Sequence, residues 1–458
     1  MEITALVQQQ KDFFKSQQTK NLEYRKASLK RLREEIVKCE KEIITALYND
    51  FRKPEFECVI SETAIVINEL DMVLKNLYSW AKPESVTPVL LTFPSTSKIY
   101  KEPYGTVLII APWNYPFQLV FSPLIGAVAA GNTAVVKPSE LTPHTSKVIT
   151  DIISKVFDKH HVCVFEGDAG VAEKLLQERW DYIFFTGSIS IGKIVAKAAA
   201  ENLTPITLEL GGKNPCIIDQ TANIKLAAKR IVWGKFINCG QTCIAPDYIL
   251  IHEIVKDIFI VHCRNEIIHA YGNNPQQSPD YPRIINQRTF DRLQKMIPNE
   301  KILMGGETDR NDLYISPTLI DNPGLDSEVM RGEIFGPILP IISFTDEKEV
   351  KKIISAYEKP LALYVFSNNK QFIKSIMEKQ SFGGGTINDT TVHFANHRLP
   401  FGGVGFSGVG AYHGRHSFDI FSHKKGITKR YNWLDIPVRY APYHGKLKLL
   451  KFFMKWFG

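Results

Sequence analysis

Between residues 106 and 188 the chain alternates short runs of branched apolar residues with longer amphipathic stretches, and this alternation narrows the fold more than any other feature. TVLIIAP (106–112), TAVVKPS (133–139), VCVFEG (162–167) and DYIFFTGS (181–188) are near-continuous apolar runs of strand length. Between them lie three helical stretches: VFSPLIGAVAAG (120–131), ending in glycine; LTPHTSKVITDIISKVF (141–157), with Thr142 expected as N-cap before Pro143; and 170–178. Strands without polar alternation are covered on both faces. The pattern therefore predicts a parallel, doubly wound α/β sheet with helices on each side. Upstream, Leu29, Leu32, Ile36, Val37, Ile43, Ile44 and Leu47 recur at helical spacing, and the Pro/Thr/Ser-rich stretch 83–98 reads as strands and loops. From about Leu210 the alternation resumes with different motifs, which predicts a second α/β domain, as a length of 458 residues also demands.

Several function classes drop out on composition. The first twenty residues hold no apolar core, so no secretory leader is expected, and no run of about 18 apolar residues could span a bilayer. Seven cysteines in a chain this long make no disulfide scaffold, and none sits at zinc-ligand spacing. No metal is expected, and a reducing cytoplasm is the natural compartment. The net charge of +8 lies entirely in residues 424–458, where nine Lys/Arg face one acid; residues 1–423 are neutral. Nucleic-acid binding by the body of the protein therefore has no electrostatic footing.

Two segments carry chemistry. TGSISIGK (186–193) follows a strand and opens a helix, the setting of a dinucleotide-binding turn. Gly187 and Gly192 hold the first and third glycine positions, but Ile189 occupies the second, which implies a looser pyrophosphate seat on the helix N-terminus. The same string misses a nucleoside-triphosphate loop, because Ile194 stands where Mg²⁺ needs a hydroxyl. NCGQTCIAPDY (238–248) sets two thiols four residues apart in a segment that Gly240 and Pro246 make irregular. Either both are packing residues or one is exposed and reactive, its pKa lowered by nearby dipoles or charges.

APWNYPF (111–117), KPSELTP (137–143), FFTGS (184–188), LELGGKNP (208–215), GQTC (240–243), EIFGP (333–337) and PFGGVGFSG (400–408) together resemble the aldehyde dehydrogenase superfamily, most closely its class 3, fatty-aldehyde branch. The resemblance implies two doubly wound parallel-sheet domains, Rossmann-like and catalytic, with a small oligomerisation β-extension. It divides the chain into a dinucleotide-binding domain (1–80 and 107–209), a catalytic domain (210–392), bridging or oligomerisation segments (81–106 and 393–440) and a basic tail (441–458). It implies oxidation of a hydrophobic aldehyde, medium- to long-chain aliphatic or aromatic, to the carboxylate with NAD, and NADP also accepted. Cys243 is then the nucleophile, forming a thiohemiacetal and a thioester, with the Asn114 amide and the Cys243 N–H as oxyanion donors. Glu209 activates the hydrolytic water, with Glu333 the other candidate base. Lys137 and Glu140 hold the adenosine ribose, and Gly187, Ser188 and Gly192 form the phosphate turn. Glu333 binds the nicotinamide ribose, Phe335 packs at the nicotinamide, and Tyr115 and Phe401 line the substrate pocket. Lys213 is assigned no chemistry, and Cys239 a packing role.

In the segment HGKLKLLKFFMKWFG (444–458), a helix gathers Leu449, Leu450, Phe453, Trp456 and Phe457 on one face, opposite Lys448, Lys451 and Lys455. It is too short to cross a bilayer but suits contact with an anionic membrane surface, or a gate over the substrate funnel. A homodimer is expected, in the cytoplasm or at the inner face of a membrane. Two rival readings remain: a dehydrogenase that passes its thioester to coenzyme A, and a non-catalytic aldehyde-binding protein of the same fold.

Overall fold

The computed structural model describes residues 3–89, 92–298 and 300–457, with the side chains of Phe453, Trp456 and Phe457 outside that description. Strands Thr106–Ile110, Thr133–Lys137, Val162–Val164, Tyr182–Thr186 and Ile206–Glu209 pair in parallel. Their spatial order is fifth, fourth, first, second, third, and Gly408–Val409 adds an antiparallel edge beside the fifth. Thr106–Ile110, Thr133–Lys137 and Tyr182–Thr186 are buried at every residue, which is why their sequences lack polar alternation. Helix Gln118–Ala130 is buried along its whole length and ends on Gly131 at φ 100°. The strand order reverses between Thr106–Ile110 and Tyr182–Thr186. Loops leaving the carboxyl ends of these two neighbours part in opposite directions and open a crevice, the usual ligand position in such sheets.

The second sheet has seven strands among the described residues. In spatial order they are Ile302–Met304, Thr318–Asp321, Ile338–Phe344, Tyr248–His252, Pro215–Ile218, Ala362–Phe366 and Gly384–Ile387. All run parallel except the antiparallel edge strand Ile302–Met304. A third, antiparallel sheet joins Glu84–Val86, Ser95–Pro103 and Ser422–Arg430, the last two paired over nine residues. The fold is thus the two-sheet α/β architecture with a small β-extension that the alternation and the resemblance predict.

Three local features differ from the sequence reading. Thr142 occupies the N-cap position of helix Pro143–Val156, but its side chain caps nothing there. The open N–H groups of His144 and Thr145 donate instead to the carboxylate of Asp50, at 3.1 and 2.9 Å. A cap supplied from 94 residues away leaves no local signature. Val37 is exposed rather than part of the apolar stripe. The PFGGVGFSG block returns to the first sheet through Gly408–Val409. At the C-terminal end, Leu447–Phe457 is helical, and Leu447, Leu449, Leu450 and Met454 are exposed. The expected apolar face also includes Phe453, Trp456 and Phe457, whose side chains lie outside the described residues. No helix among the described residues is long and apolar enough to cross a membrane.

Candidate active site

The loop that carries Cys243 is built from strained backbone held by buried amides. Helix Ile224–Phe236 gives way to a turn in which Asn238 and Cys239 both take φ 54°, followed by Gly240 at φ 72°. A Cβ on Gly240 would stand 2.3 Å from the Gly336 carbonyl oxygen, so this close crossing requires glycine. The buried Gln241 side chain donates to the carbonyls of Asn238 (3.2 Å) and Arg283 (3.0 Å) and accepts the Ile285 N–H (3.0 Å). On the far side Asn214 donates to the Cys243 carbonyl at 2.7 Å and to that of Ala245 at 3.1 Å. Of the seven cysteines only Cys243 is not buried; Cys239, four residues earlier, is fully enclosed beside the Tyr281 hydroxyl.

Cys243 opens on two cavities. One is apolar, its walls formed by residues such as Ile65, Tyr115, Trp233, Phe394 and Phe401. The other is more polar and runs past Trp113, Asn114, Gly187, Ser188, Gly211, Thr289, Arg292, Glu333 and Phe335. They share Leu119, Thr186, Glu209, Leu210 and Cys243. The thiol and the Glu209 carboxyl therefore stand where two separate approaches meet.

The electrostatics follow from enclosure. Cys243 sits where the two cavities meet, so its thiol faces them while most of its surroundings are protein. Burial pushes its thiol up to about 12, and the neighbouring Glu333 and Glu209 push in the same direction, while the N–H groups of Cys243 and Ile244 pull it back. Glu209, at the end of strand Ile206–Glu209, has no hydrogen-bond partner on either oxygen, and burial raises its carboxyl well above the usual carboxylate range. Burial, then the charge of Asp247, lifts Glu333 to about 8, against the Gly212 N–H, Arg292 and Lys213. The Glu333 carboxylate lies against Gly211, where a Cβ would stand 2.1 Å from Oε2, so the first glycine of LELGG leaves room for it. The Asn114 side-chain amide donates to the Gln241 carbonyl at 3.1 Å, which leaves its second N–H for another acceptor.

The other expected cofactor residues lie at or beyond the carboxyl ends of first-sheet strands, except Phe335, which precedes strand Ile338–Phe344 of the second sheet. Lys137, the buried last residue of its strand, pairs with the half-exposed Glu140 at 2.7 Å. Ser188 caps helix Ile189–Glu201 by accepting the Ile191 N–H at 3.4 Å, and Ile189 is simply the first helical residue. Added Cβ atoms would stand 2.5 Å from the Phe185 ring at Gly187 and 2.7 Å from Leu210 at Gly192. Phe335 takes φ 51° and meets Trp113 edge-on at 5.4 Å. A helix N-terminus, a cation–carboxylate pair at the end of strand Thr133–Lys137 and a cavity holding the unpartnered Glu209 oxygens together fit a nicotinamide dinucleotide. Tyr115 and Phe401 both face the apolar cavity; the Tyr115 hydroxyl bonds that of Thr242 at 2.6 Å. Lys213 is buried in a 2.7 Å ion pair with Asp247. The sequence reading missed Thr186, Ile244, Thr289 and Arg292, and the bracing roles of Asn214 and Gln241. Thr186, Asn214 and Gln241 sit inside quoted motifs; Thr289 and Arg292 come from a helix without one.

The aldehyde dehydrogenase family model matches residues 1–427. The chain belongs to this family. It is 49% identical over 447 residues to the 4,4'-diaponeurosporen-aldehyde dehydrogenase of Staphylococcus aureus, covering 97% of each chain. It is 44% identical over 419 residues to aldehyde dehydrogenase family 3 member A2 of Rattus norvegicus, covering 92% of this chain and 87% of the relative. Among solved structures, the substrate-bound state of Staphylococcus aureus AldH superposes with a TM-score of 0.97 at 48% identity, covering 99% of this chain and 100% of that one. Glyceraldehyde-3-phosphate dehydrogenase GapN of Methanocaldococcus jannaschii, complexed with NADP, gives 0.83 at 25% identity, covering 93% and 94%. This aldehyde dehydrogenase is accordingly an enzyme that oxidises aldehydes with NAD(P).

Proposed function

We propose that the thiolate form of Cys243, its proton released to solvent, attacks the aldehyde carbonyl carbon from the apolar cavity, and that the resulting oxyanion is held by the Asn114 amide and the Cys243 N–H. A dinucleotide held by Lys137, Glu140, the Ser188 turn, Glu333 and Phe335 supplies the hydride acceptor. Once the hydride has left, Cys243 carries a thioester. Glu209 takes a proton from water, the hydroxide adds to the acyl carbon, and the carboxylate leaves as the thiol is restored. A carboxyl whose proton affinity is raised by burial is a stronger base than a solvated one, which favours Glu209 over a surface acid. The observation that carries this reading is the meeting of the two cavities at Cys243 and Glu209. Steady-state oxidation of an aldehyde chain-length series should yield carboxylate at the same rate with or without coenzyme A, and kcat/KM should rise with apolar chain length. A requirement for coenzyme A would favour the acyl-transferring alternative instead. The apolar lining supports a hydrophobic substrate, and the Staphylococcus aureus relative is named for 4,4'-diaponeurosporen-aldehyde.

Cofactor choice rests on Glu140, whose carboxylate suits ribose hydroxyls and repels a 2′-phosphate. NAD should give the higher initial-rate kcat/KM and NADP should still be used, since Lys137 lies 2.7 Å from Glu140 to offset the repulsion. A clear NADP preference contradicts this assignment.

Two surfaces support a homodimer. Strands Ser422–Arg430 and Gly384–Ile387 end their sheets among the described residues, and helix Glu253–Tyr271 exposes Ile254, Ile258, Val261 and Ile268. Light scattering should report twice the 52.0 kDa chain mass; a stable monomer at working concentration rules it out.

The tail supports docking on an anionic membrane. Each lysine near such a surface contributes about 1 kcal/mol, so Lys446, Lys448, Lys451 and Lys455 give roughly 4 kcal/mol before ordering costs. Exposed Trp433, Tyr440 and Tyr443 extend this basic surface with aromatic side chains. Deleting 446–458 should abolish salt-sensitive co-sedimentation with anionic liposomes and spare turnover of short aldehydes. If sedimentation persists and only long-chain turnover falls, the tail gates the funnel.

A further inference from the structure

Lys53 lies in the link between helices Glu40–Phe51 and Glu55–Cys58 and is fully buried. Its ammonium is 2.8 Å from Glu62 Oε1 and 4.1 Å from the centre of the Tyr115 ring. Glu62, in the π-helical turn Val59–Thr63, uses its other oxygen to accept the Gln118 N–H at 2.8 Å, gripping the chain just after WNYPF. The Tyr115 hydroxyl meets Thr242, the residue before Cys243, at 2.6 Å. On the opposite side Glu57 accepts the Asn238 N–H at 2.9 Å, within the left-handed turn of the Cys243 loop. Asn238 then donates to the Asn114 carbonyl at 2.8 Å and to the Gln241 carbonyl at 3.1 Å. The loop that carries Asn114 and the loop that carries Cys243 are thus joined through groups that surround one buried cation.

We propose that Lys53 is a positioning residue for aldehyde oxidation: its ammonium, held between Glu62 and the face of Tyr115, locks the Asn114 loop against the Cys243 loop. This rests on the roles assigned above to Asn114 and Cys243. The Gln118 N–H serves Oε2 of Glu62 and the Lys53 ammonium serves Oε1, so part of its work is to keep that buried carboxyl partnered. What it adds is attraction for the Tyr115 ring and for Glu57, whose carboxyl burial pushes up to about 7 and Lys53 restrains. An oxyanion donor displaced by about 1 Å costs on the order of 10²-fold in rate, so loss of this lock should appear in the chemical step.

The test is single-turnover NADH formation at saturating NAD with a short soluble aldehyde, together with NAD affinity from fluorescence titration. Lys53→Met strands two buried carboxyls and should lower thermal stability as well as rate. The Lys53→Met/Glu62→Gln pair removes the charge of the ion pair with near-isosteric side chains, so the stability lost at Glu62 should recover, while Glu57 keeps the Asn238 N–H as its partner. Its NAD affinity should match wild type, while the single-turnover rate stays at least ~30-fold down. Lys53→Arg, which keeps a cation beside Tyr115, should be at least ~10-fold faster than Lys53→Met. A folded double variant that turns over at the wild-type rate overturns the proposal. So does an arginine variant no faster than the methionine one, which decides the matter even if the double variant does not fold. Cys243→Ala in the otherwise native chain separates the two levels: if it still forms NADH, the assignment of the nucleophile has failed rather than that of Lys53.

Discussion

Cys243→Ala should lower kcat/KM by more than ~10⁴-fold while NAD still binds, because the only cysteine facing the cavities is lost and the cofactor-side residues Trp113, Ser188, Glu333 and Phe335 are unchanged. Cys239→Ala should keep most of the activity and cost chiefly stability, since that thiol is fully buried. With the Cys243 thiol held at about 12 in the free enzyme, its thiolate fraction near neutrality is small. Alkylation of the apo-enzyme by iodoacetamide should therefore be slow at pH 7 and climb about tenfold per pH unit. Addition of the oxidised cofactor, whose nicotinamide ring is cationic, should speed it at fixed pH. Swapped phenotypes for the two cysteines would move the nucleophile to Cys239.

Glu209→Gln should separate hydride transfer from hydrolysis. The amide cannot take a proton from water, so one equivalent of NADH per site should form in a burst and steady-state turnover should fall by about 10²–10⁴-fold. In the native enzyme the base form of Glu209 is the ionised one. Because burial raises its pKa, deacylation should be slow at low pH and rise as the pH passes above the ordinary carboxylate range. Glu333 is the alternative base, lifted to about 8 by a similar enclosure. Unchanged steady-state turnover in Glu209→Gln, with loss in Glu333→Gln, would reassign the role.

The fold was legible because its strands are buried on both faces, and a run such as TVLIIAP has no other stable use in a soluble sheet. The motif blocks held the residues that gather around the cavities: Asn114 in the loop after strand Thr106–Ile110, Glu209 at the end of Ile206–Glu209, and Cys243 in the loop that leads into Tyr248–His252. Long-range devices were not legible. Asp50 caps a helix 94 residues away, and Lys53 reaches Tyr115 and, through Glu57, the turn at Asn238. Such contacts leave no periodicity or spacing in the chain. Arg292 and Thr289 enter the cofactor-side cavity from a short polar helix that reads as any exposed segment would.

Trapping the acyl-enzyme would bear most heavily on the covalent route. Glu209→Gln enzyme mixed with NAD and one equivalent of a long-chain aldehyde should gain the mass of one acyl group, less the thiol hydrogen it replaces. Hydroxylamine should release it, as it does a thioester. Cys239 and Cys243 share the tryptic peptide 236–256, so fragmentation must locate the adduct. The account predicts it on Cys243 alone. An adduct on Cys239, or a full NADH burst with no acyl group on either cysteine, would contradict it.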